Sequence, residues 1–133
     1  MATRSLIAIE HEDGSIESIY CHNNGDIDLN GAALLDDYQT AEDVSKLIAL
    51  GDMSSILPEP MAYHRDLEEE WDDVKPRIFP SLTEYLSVIP KRWNDVNYVY
   101  IFTKDNLWTV YRQSCSKGIG EKQRLIHEYT ESN

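Results

Sequence analysis

The sequence predicts an α+β domain: a mostly antiparallel sheet built from two β-hairpins, at about 4–22 and 97–112, covered by helices on one face. Three observations lead there. RSLIAIEH (4–11) with IESIYCH (16–22), and NYVYIFT (97–103) with LWTVYR (107–112), are β-prone runs that flank short polar turns. The stretch between the two pairs carries helical spacing and helix-capping residues instead. At 133 residues, 41% of them hydrophobic, the chain matches one domain with one core.

Taken in order, the first pair turns at Glu12-Asp13-Gly14-Ser15, and Asn23-Asn24-Gly25 breaks the second strand. Leu29, Ala32, Ala33, Leu34, Leu35 and Tyr38 recur near helical spacing and predict a short helix. A clearer helix follows Thr40, a good N-cap, with Asp43 in its first turn. Its buried side is expected from Val44, Leu47, Ile48 and Met53, with Gly51 at C′. Pro58 and Pro60 mark an irregular crossing over 54–63, after which the acidic block forms a helical turn or a loop. Pro76 and Pro80 bracket a short extended piece. Ser81-Leu82-Thr83-Glu84 is a capping-box pattern for a helix expected to run to about Ile89 and stop at Pro90. The second strand pair turns at Lys104-Asp105-Asn106. The tail is expected either to form a helix around Lys122–Tyr129 or to fray, and residues from about 113 read as a C-terminal extension of a single 1–133 domain.

Charge is the chief functional clue. The chain has 24 Asp and Glu against 12 Lys and Arg, a formal net charge of -12. Residues 1–73 hold 18 acidic residues and three basic ones, Arg4, Lys46 and Arg65, a net of -15; from 74 onward six acidic and nine basic residues give +3. Asp66, Glu68, Glu69, Glu70, Asp72 and Asp73 place six carboxylates in eight positions, interrupted by Leu67 and Trp71. Such a block repels itself and must be solvated or face a cationic partner. Three readings are open: a solubilising face, a decoy that occupies a site built for phosphates, or a divalent-metal site. The last lacks the spaced D-x-D-x-D-G loop with its terminal Glu. Glu10, Glu12, Asp13, Asp36 and Asp37 form a second candidate patch.

Other classes have less support. No apolar run approaches the ~18 residues of a membrane span. The segment MATRSLIAIEHEDG lacks the apolar core and cleavage site of a signal peptide. A soluble, cytoplasmic protein with reduced Cys21 and Cys115 is expected. Gly118-Ile119-Gly120-Glu121-Lys122 lacks P-loop spacing and reads as a turn before a terminal helix. Cys21, His22, His64 and Arg65 are the candidates for a pocket, as nucleophile, base or anion holder. Adjacent strand residues face opposite ways, so Cys21 and His22 cannot pair directly. Cys21 reads better as a small buried side chain. In an extended Tyr63-His64-Arg65-Asp66, His64 and Asp66 would share a face, and Arg65 would neutralise part of the acidic block. No cofactor and no metal are expected.

Tyr20-Cys21-His22-Asn23-Asn24-Gly25, Leu34-Leu35, Tyr38, Val44, LIALGDMSSI (47–56), Ala62-Tyr63-His64-Arg65-Asp66, the stretch Leu82–Leu86 and the hairpin from Tyr98 through Phe102 to Trp108 are met in this order. The combination resembles a family of small uncharacterised proteins encoded by bacteriophages and prophages, over roughly residues 4–111. The chain departs from that family in its acidic stretch after Gly25, which lacks a Tyr-Pro, and in the tail beyond Arg112. The resemblance implies a phage setting and a compact fold, and it carries over no catalytic residue. In such a setting small acidic proteins bind host machinery, among them inhibitors of restriction and of CRISPR effectors, some by DNA mimicry.

The leading expectation is therefore a non-enzymatic phage protein in the host cytoplasm. It binds and inhibits a basic, nucleic-acid-binding host defence or nuclease complex through its acidic residues, without binding DNA or membrane itself. The alternative is a ligand-binding or Cys/His enzymatic module, and the third is a structural, self-associating phage component.

Overall fold

The computed structural model describes residues 2–114 and 118–125. β1 (Ser5–Glu10) pairs antiparallel with β2 (Ile16–Cys21), Ile7 opposite Ile19. The chain then makes a single π-helical turn (Ile27–Gly31) and runs through α1 (Ala32–Asp37), α2 (Ala41–Ile48), β3 (Met53–Ser55) and β4 (Met61–Ala62). Next come α3 (Tyr63–Leu67), α4 (Trp71–Val74), β5 (Arg77–Phe79) and α5 (Leu82–Arg92). β6 (Tyr98–Phe102) and β7 (Trp108–Ser114) are antiparallel partners, with β8 (Gly118–Ile119) and β9 (Gln123–Arg124) on the far side of β7. The main path of the sheet is β4-β3-β2-β1-β6-β7-β8, mixed but mostly antiparallel. Its centre is the parallel pair β1–β6, Ile7 opposite Tyr100. Among the described residues no helix is long and apolar enough to cross a membrane.

That parallel pair explains the first departure from expectation: helices cover both faces of the sheet, not one. Parallel neighbours need a long crossover, and central strands buried on both faces are apolar at every position rather than alternately. Leu6, Ile7, Ala8 and Ile9 are all buried, as are Val99, Tyr100, Ile101 and Phe102. On one face Ile7, Ile9, Ile19, Tyr100 and Phe102 pack with Leu34 of α1 and Val44, Leu47 and Ile48 of α2. On the other, Leu6, Ala8, Val99 and Ile101 pack with Tyr85 and Ile89 of α5. Each fully buried side chain of this size stabilises the fold by about 1.5–3 kcal/mol. The two large phenols within these layers also hold specific bonds. Tyr100 donates to the Gly25 carbonyl at 2.6 Å, and the Tyr85 hydroxyl bonds Ser18 Oγ at 2.7 Å.

The helices follow their caps. Thr40 Oγ1 accepts the Asp43 N–H at 3.1 Å and starts α2, with Glu42 and Asp43 in the first turn and Lys46 in the last, as the helix dipole favours. Ala49 and Leu50 add a turn before Gly51, so the glycine stands one position beyond C′, and Met53 belongs to β3. Ser81 Oγ accepts the Glu84 N–H at 3.2 Å and starts α5. This helix runs through Pro90 to Arg92 instead of stopping before it. Pro90 occupies the last turn, where losing one N–H breaks a single intrahelical bond. Buried Ile89 keeps the chain helical there and accepts the Trp93 N–H at 2.8 Å. In the tail, Gly118–Ile119 and Gln123–Arg124 pair with β7, and Leu125 is buried, so 122–125 is not helical. The rest of the expected terminal helix, and Cys115, lie outside the described residues.

One side chain organises the edge of β2. That edge is shared by two short strands: β5 pairs at Ile16–Ser18 and β3 at Cys21, leaving the Tyr20 N–H between them. Asp52 Oδ1 accepts it at 2.8 Å and also takes Arg77 Nη1 at 2.8 Å. The Asp52 main chain holds two further segments, its N–H on the Val74 carbonyl at 2.7 Å and its carbonyl on the Tyr63 N–H at 3.1 Å. Gly51, at φ +83°, makes this approach feasible, because a Cβ there would lie 2.6 Å from the Val74 oxygen.

Burial also sets a pH response. Cys21 is fully buried and its thiol is pushed up from 9.0 to about 11 by desolvation; burial likewise drives Tyr85 and Tyr100 well above the usual phenol value. In the unfolded chain these groups lose protons at lower pH than in the native state, so stability is full below about pH 9 and falls as pH rises beyond it. The Cys21 shift corresponds to on the order of 2–3 kcal/mol lost between pH 9 and 11. Thermal unfolding is expected to show a flat Tm from pH 7 to about 8.5 and a decline above 9. In Cys21→Ala that decline begins roughly one pH unit later, at the first ionisation of unfolded tyrosine.

Candidate functional site

The acidic block is an ordered double turn on the β4 side of the sheet. The Ala62 N–H donates to Asp66 Oδ2 at 2.8 Å at the start of α3. Arg65 grips the same carboxylate with both Nε (3.0 Å) and Nη2 (2.8 Å), and Nη2 also reaches the Pro60 carbonyl at 2.9 Å. That pairing, with the Ala62 bond second, holds the Asp66 carboxyl below the usual carboxylate value. α3 ends at Glu68 in the left-handed region, φ 61°. The chain then doubles back. The Glu69 N–H reaches the Tyr63 carbonyl, and since a carbonyl only accepts, His64 carries its proton on Nδ1 and donates to Glu69 at 2.8 Å. The His64 ring meets Trp71 edge-on at 5.2 Å, joining α3 to α4. The segment 63–67 is thus helical rather than extended, and the face expected to be shared by His64 and Asp66 does not form.

What this turn shows to solvent is a mixed surface. Every residue from 64 to 73 is exposed. Asp66 is paired by Arg65, and Asp72 lies 3.4 Å from Lys75. Glu68, Glu69, Glu70 and Asp73 make no ion pair among the described residues. Leu67 and Trp71, which interrupt the acidic run, are exposed apolar side chains, as is Met61 of the preceding β4. The sequence marked the carboxylates but not this apolar component, which Leu67 and Trp71 signalled by interrupting the acidic run. Unpaired charge around exposed apolar area is the composition of a polar rim around an interface core.

The second candidate patch is divided in role. Asp13 is structural: it accepts the Ser15 N–H and hydroxyl at 2.9 and 2.7 Å, bonds that hold its carboxyl below the usual value. Glu10 accepts the Lys104 N–H at 3.2 Å and ties the two strand turns together. Glu12 is exposed, and Glu10 and Glu12 line a small cleft with Ala41 and Ser45 of α2. Asp36 and Asp37 are exposed at the end of α1. Asp37 belongs to a second cleft, with Asp43, which the sequence reading did not single out.

The four pocket candidates hold separate partners. Cys21 points into the core, where it contacts the Asn23 carbonyl at 3.5 Å and receives Asn30 Nδ2 at 3.4 Å. His22 Nδ1 bonds the Tyr20 hydroxyl at 2.9 Å; His64 is held by Glu69 and Trp71, and Arg65 by Asp66. None of these bonds joins the thiol to a base, and burial keeps it protonated. The neighbouring asparagines are structural as well: Asn23 Nδ2 donates to the Ser54 carbonyl and Oγ at 3.1 Å, and Asn24 Nδ2 to Ser55 Oγ at 2.9 Å. Among the described residues no three His, Cys, Asp or Glu side chains are grouped to hold a metal ion.

This placement predicts an inert thiol. In a Cys115→Ser background, native protein at pH 8 should react with a disulfide reagent at least about 100-fold more slowly than protein unfolded in guanidinium. Equal rates would show Cys21 to be accessible.

No family model matches the chain, and it matches no curated protein and no solved structure.

Proposed function

We propose that the protein is a non-enzymatic phage inhibitor that binds a basic, nucleic-acid-binding host protein through the α3–α4 turn. One observation carries this reading: Glu68, Glu69, Glu70 and Asp73 are exposed, carry no ion pair among the described residues, and share one short double turn with exposed Leu67 and Trp71. Carboxylates on such a turn supply negative charge of the kind that phosphates supply on a nucleic acid, and they draw a lysine- and arginine-rich surface by long-range attraction. The apolar side chains add contact area that a nucleic acid does not offer, so the partner is a protein with a basic rim around an apolar patch. Direct duplex binding is disfavoured, because -15 over residues 1–73 sets carboxylates against phosphates. Anti-restriction or anti-CRISPR action, in the host cytoplasm, is the setting in which such a decoy would work.

The test uses the DNA-binding fraction of a host lysate, eluted from immobilised duplex. The wild-type protein is expected to retain at least one protein from it and to release that protein when duplex DNA or salt is added. Glu68→Lys/Glu69→Lys/Glu70→Lys, at positions that make no ion pair among the described residues, should keep the wild-type circular dichroism and lose at least about ten-fold in capture. Capture that persists in this variant and at high salt would overturn the electrostatic reading, as would tight duplex binding by the isolated protein.

A further inference from the structure

A cleft of about 270 Å³ opens between the end of α1, the outer side of α2 and the loop before β4. Its apolar walls are the Tyr38 ring, Leu47, Leu50 and Pro60; Asp37, Asp43 and Lys46 stand at its charged mouth. Lys46 lies 3.5 Å from Glu42, one turn back on the same helix, whereas Asp37 and Asp43 make no ion pair among the described residues. The uncompensated charge at the mouth is therefore negative. Both carboxylates lie within electrostatic reach of the ring, since after burial they are what raises the Tyr38 hydroxyl above its ordinary value.

The volume selects the occupant's size. Sites for drug-sized molecules run to roughly 300–1,000 Å³, so this cleft takes something smaller, such as one side chain. The lining selects its chemistry. An aliphatic stem gains by covering Leu47, Leu50 and Pro60, and a cationic head gains from two carboxylates and an aromatic face. Guanidinium fits better than ammonium, because its planar fork both stacks on a tyrosine ring and offers paired donors to carboxylates. A 540 Å³ cleft beside β5 is larger, but three cations, Lys75, Arg77 and Arg92, line it against two carboxylates, Asp72 and Asp73, so it does not favour a cationic guest.

We propose that the cleft formed by Tyr38, Leu47, Leu50 and Pro60, with Asp37 and Asp43 at its mouth, is a binding site for an arginine side chain of the basic partner. The source of the arginine rests on the function proposed above; the cleft's preference for guanidinium does not.

The experiment titrates the full chain with acetyl-Gly-Arg-Gly-amide and with the same peptide carrying norleucine, followed by NMR. The arginine peptide should give saturable shifts at Tyr38, Leu47 and Leu50, with the norleucine peptide at least about ten-fold weaker. Asp37→Asn/Asp43→Asn should weaken binding about ten-fold, and Tyr38→Leu, which keeps the main-chain carbonyl that accepts Trp108 Nε1, several-fold. The Glu68→Lys/Glu69→Lys/Glu70→Lys variant should bind the peptide like the wild type. Equal binding of the norleucine peptide, no effect of the double aspartate change, or shifts confined to α3–α4 would overturn the site. Peptide binding without capture of any DNA-binding protein would keep the site and remove the larger reading; capture without peptide binding would do the reverse.

Discussion

The region that carries the acidic turn depends on one constraint: the outer edge of β2 has no single partner strand. β3 and β5 each cover part of it, and the N–H of Tyr20 falls in the gap. A main-chain donor left unpaired at a half-buried edge costs about 1–3 kcal/mol. Asp52 supplies the missing acceptor from outside the strand ladder, and its charge is balanced by Arg77 at the start of β5. The same residue's N–H and carbonyl fasten the end of α4 and the start of α3. Four segments, β2, β5, α3 and α4, thus meet at one aspartate, and Arg77 anchors further by reaching the Asp73 carbonyl and lying over the Trp93 ring.

This arrangement separates two uses of acidic residues that composition alone does not distinguish. Asp52, Asp66 and Asp13 are occupied by hydrogen bonds inside the protein and shape it. The main chains of Glu69, Glu70 and Asp73 help to hold the turn, but the carboxylates of Glu68, Glu69, Glu70 and Asp73 make no ion pair among the described residues and so face outward to act on something else at the surface. Held at its two ends by the Asp52 main chain, the turn presents those charges in a fixed arrangement, which lowers the ordering cost of binding. The same logic extends to α1 and α2, where capping and core packing fix the backbone and leave Asp37 and Asp43 facing outward over Tyr38.

How much of this was legible in the sequence depends on the range of the interaction. The β-prone runs coincide with strands, and Thr40 and Ser81 start helices, because those signals lie within a few residues of their effect. The double-sided core was legible only in part, in the alternation of Tyr98, Tyr100 and Phe102 with Val99 and Ile101, which gives that run two apolar faces. It follows from β1 lying parallel to β6, a contact between residues more than 90 positions apart, although the unbroken apolar character of both runs was a usable sign. Pro90 misled because its stop signal competes with the burial of Ile89. The acidic block was visible as composition, but its shape depends on Asp52 and Tyr63, which no local rule connects. The Tyr38 cleft was invisible for the same reason, since Asp37, Asp43 and Pro60 converge from three segments.

The edge of β2 holds its shape because Asp52 and Arg77 act together. The most direct measurement is a double-mutant cycle in urea with Asp52→Asn, Arg77→Met and the pair. Asn keeps an acceptor for Tyr20 and Met keeps the aliphatic stem, so the cycle isolates the charge pair. With Asp52 buried and Arg77 largely so, a coupling of about 1.5 kcal/mol or more is predicted. Additive effects, within about 0.5 kcal/mol, would contradict it.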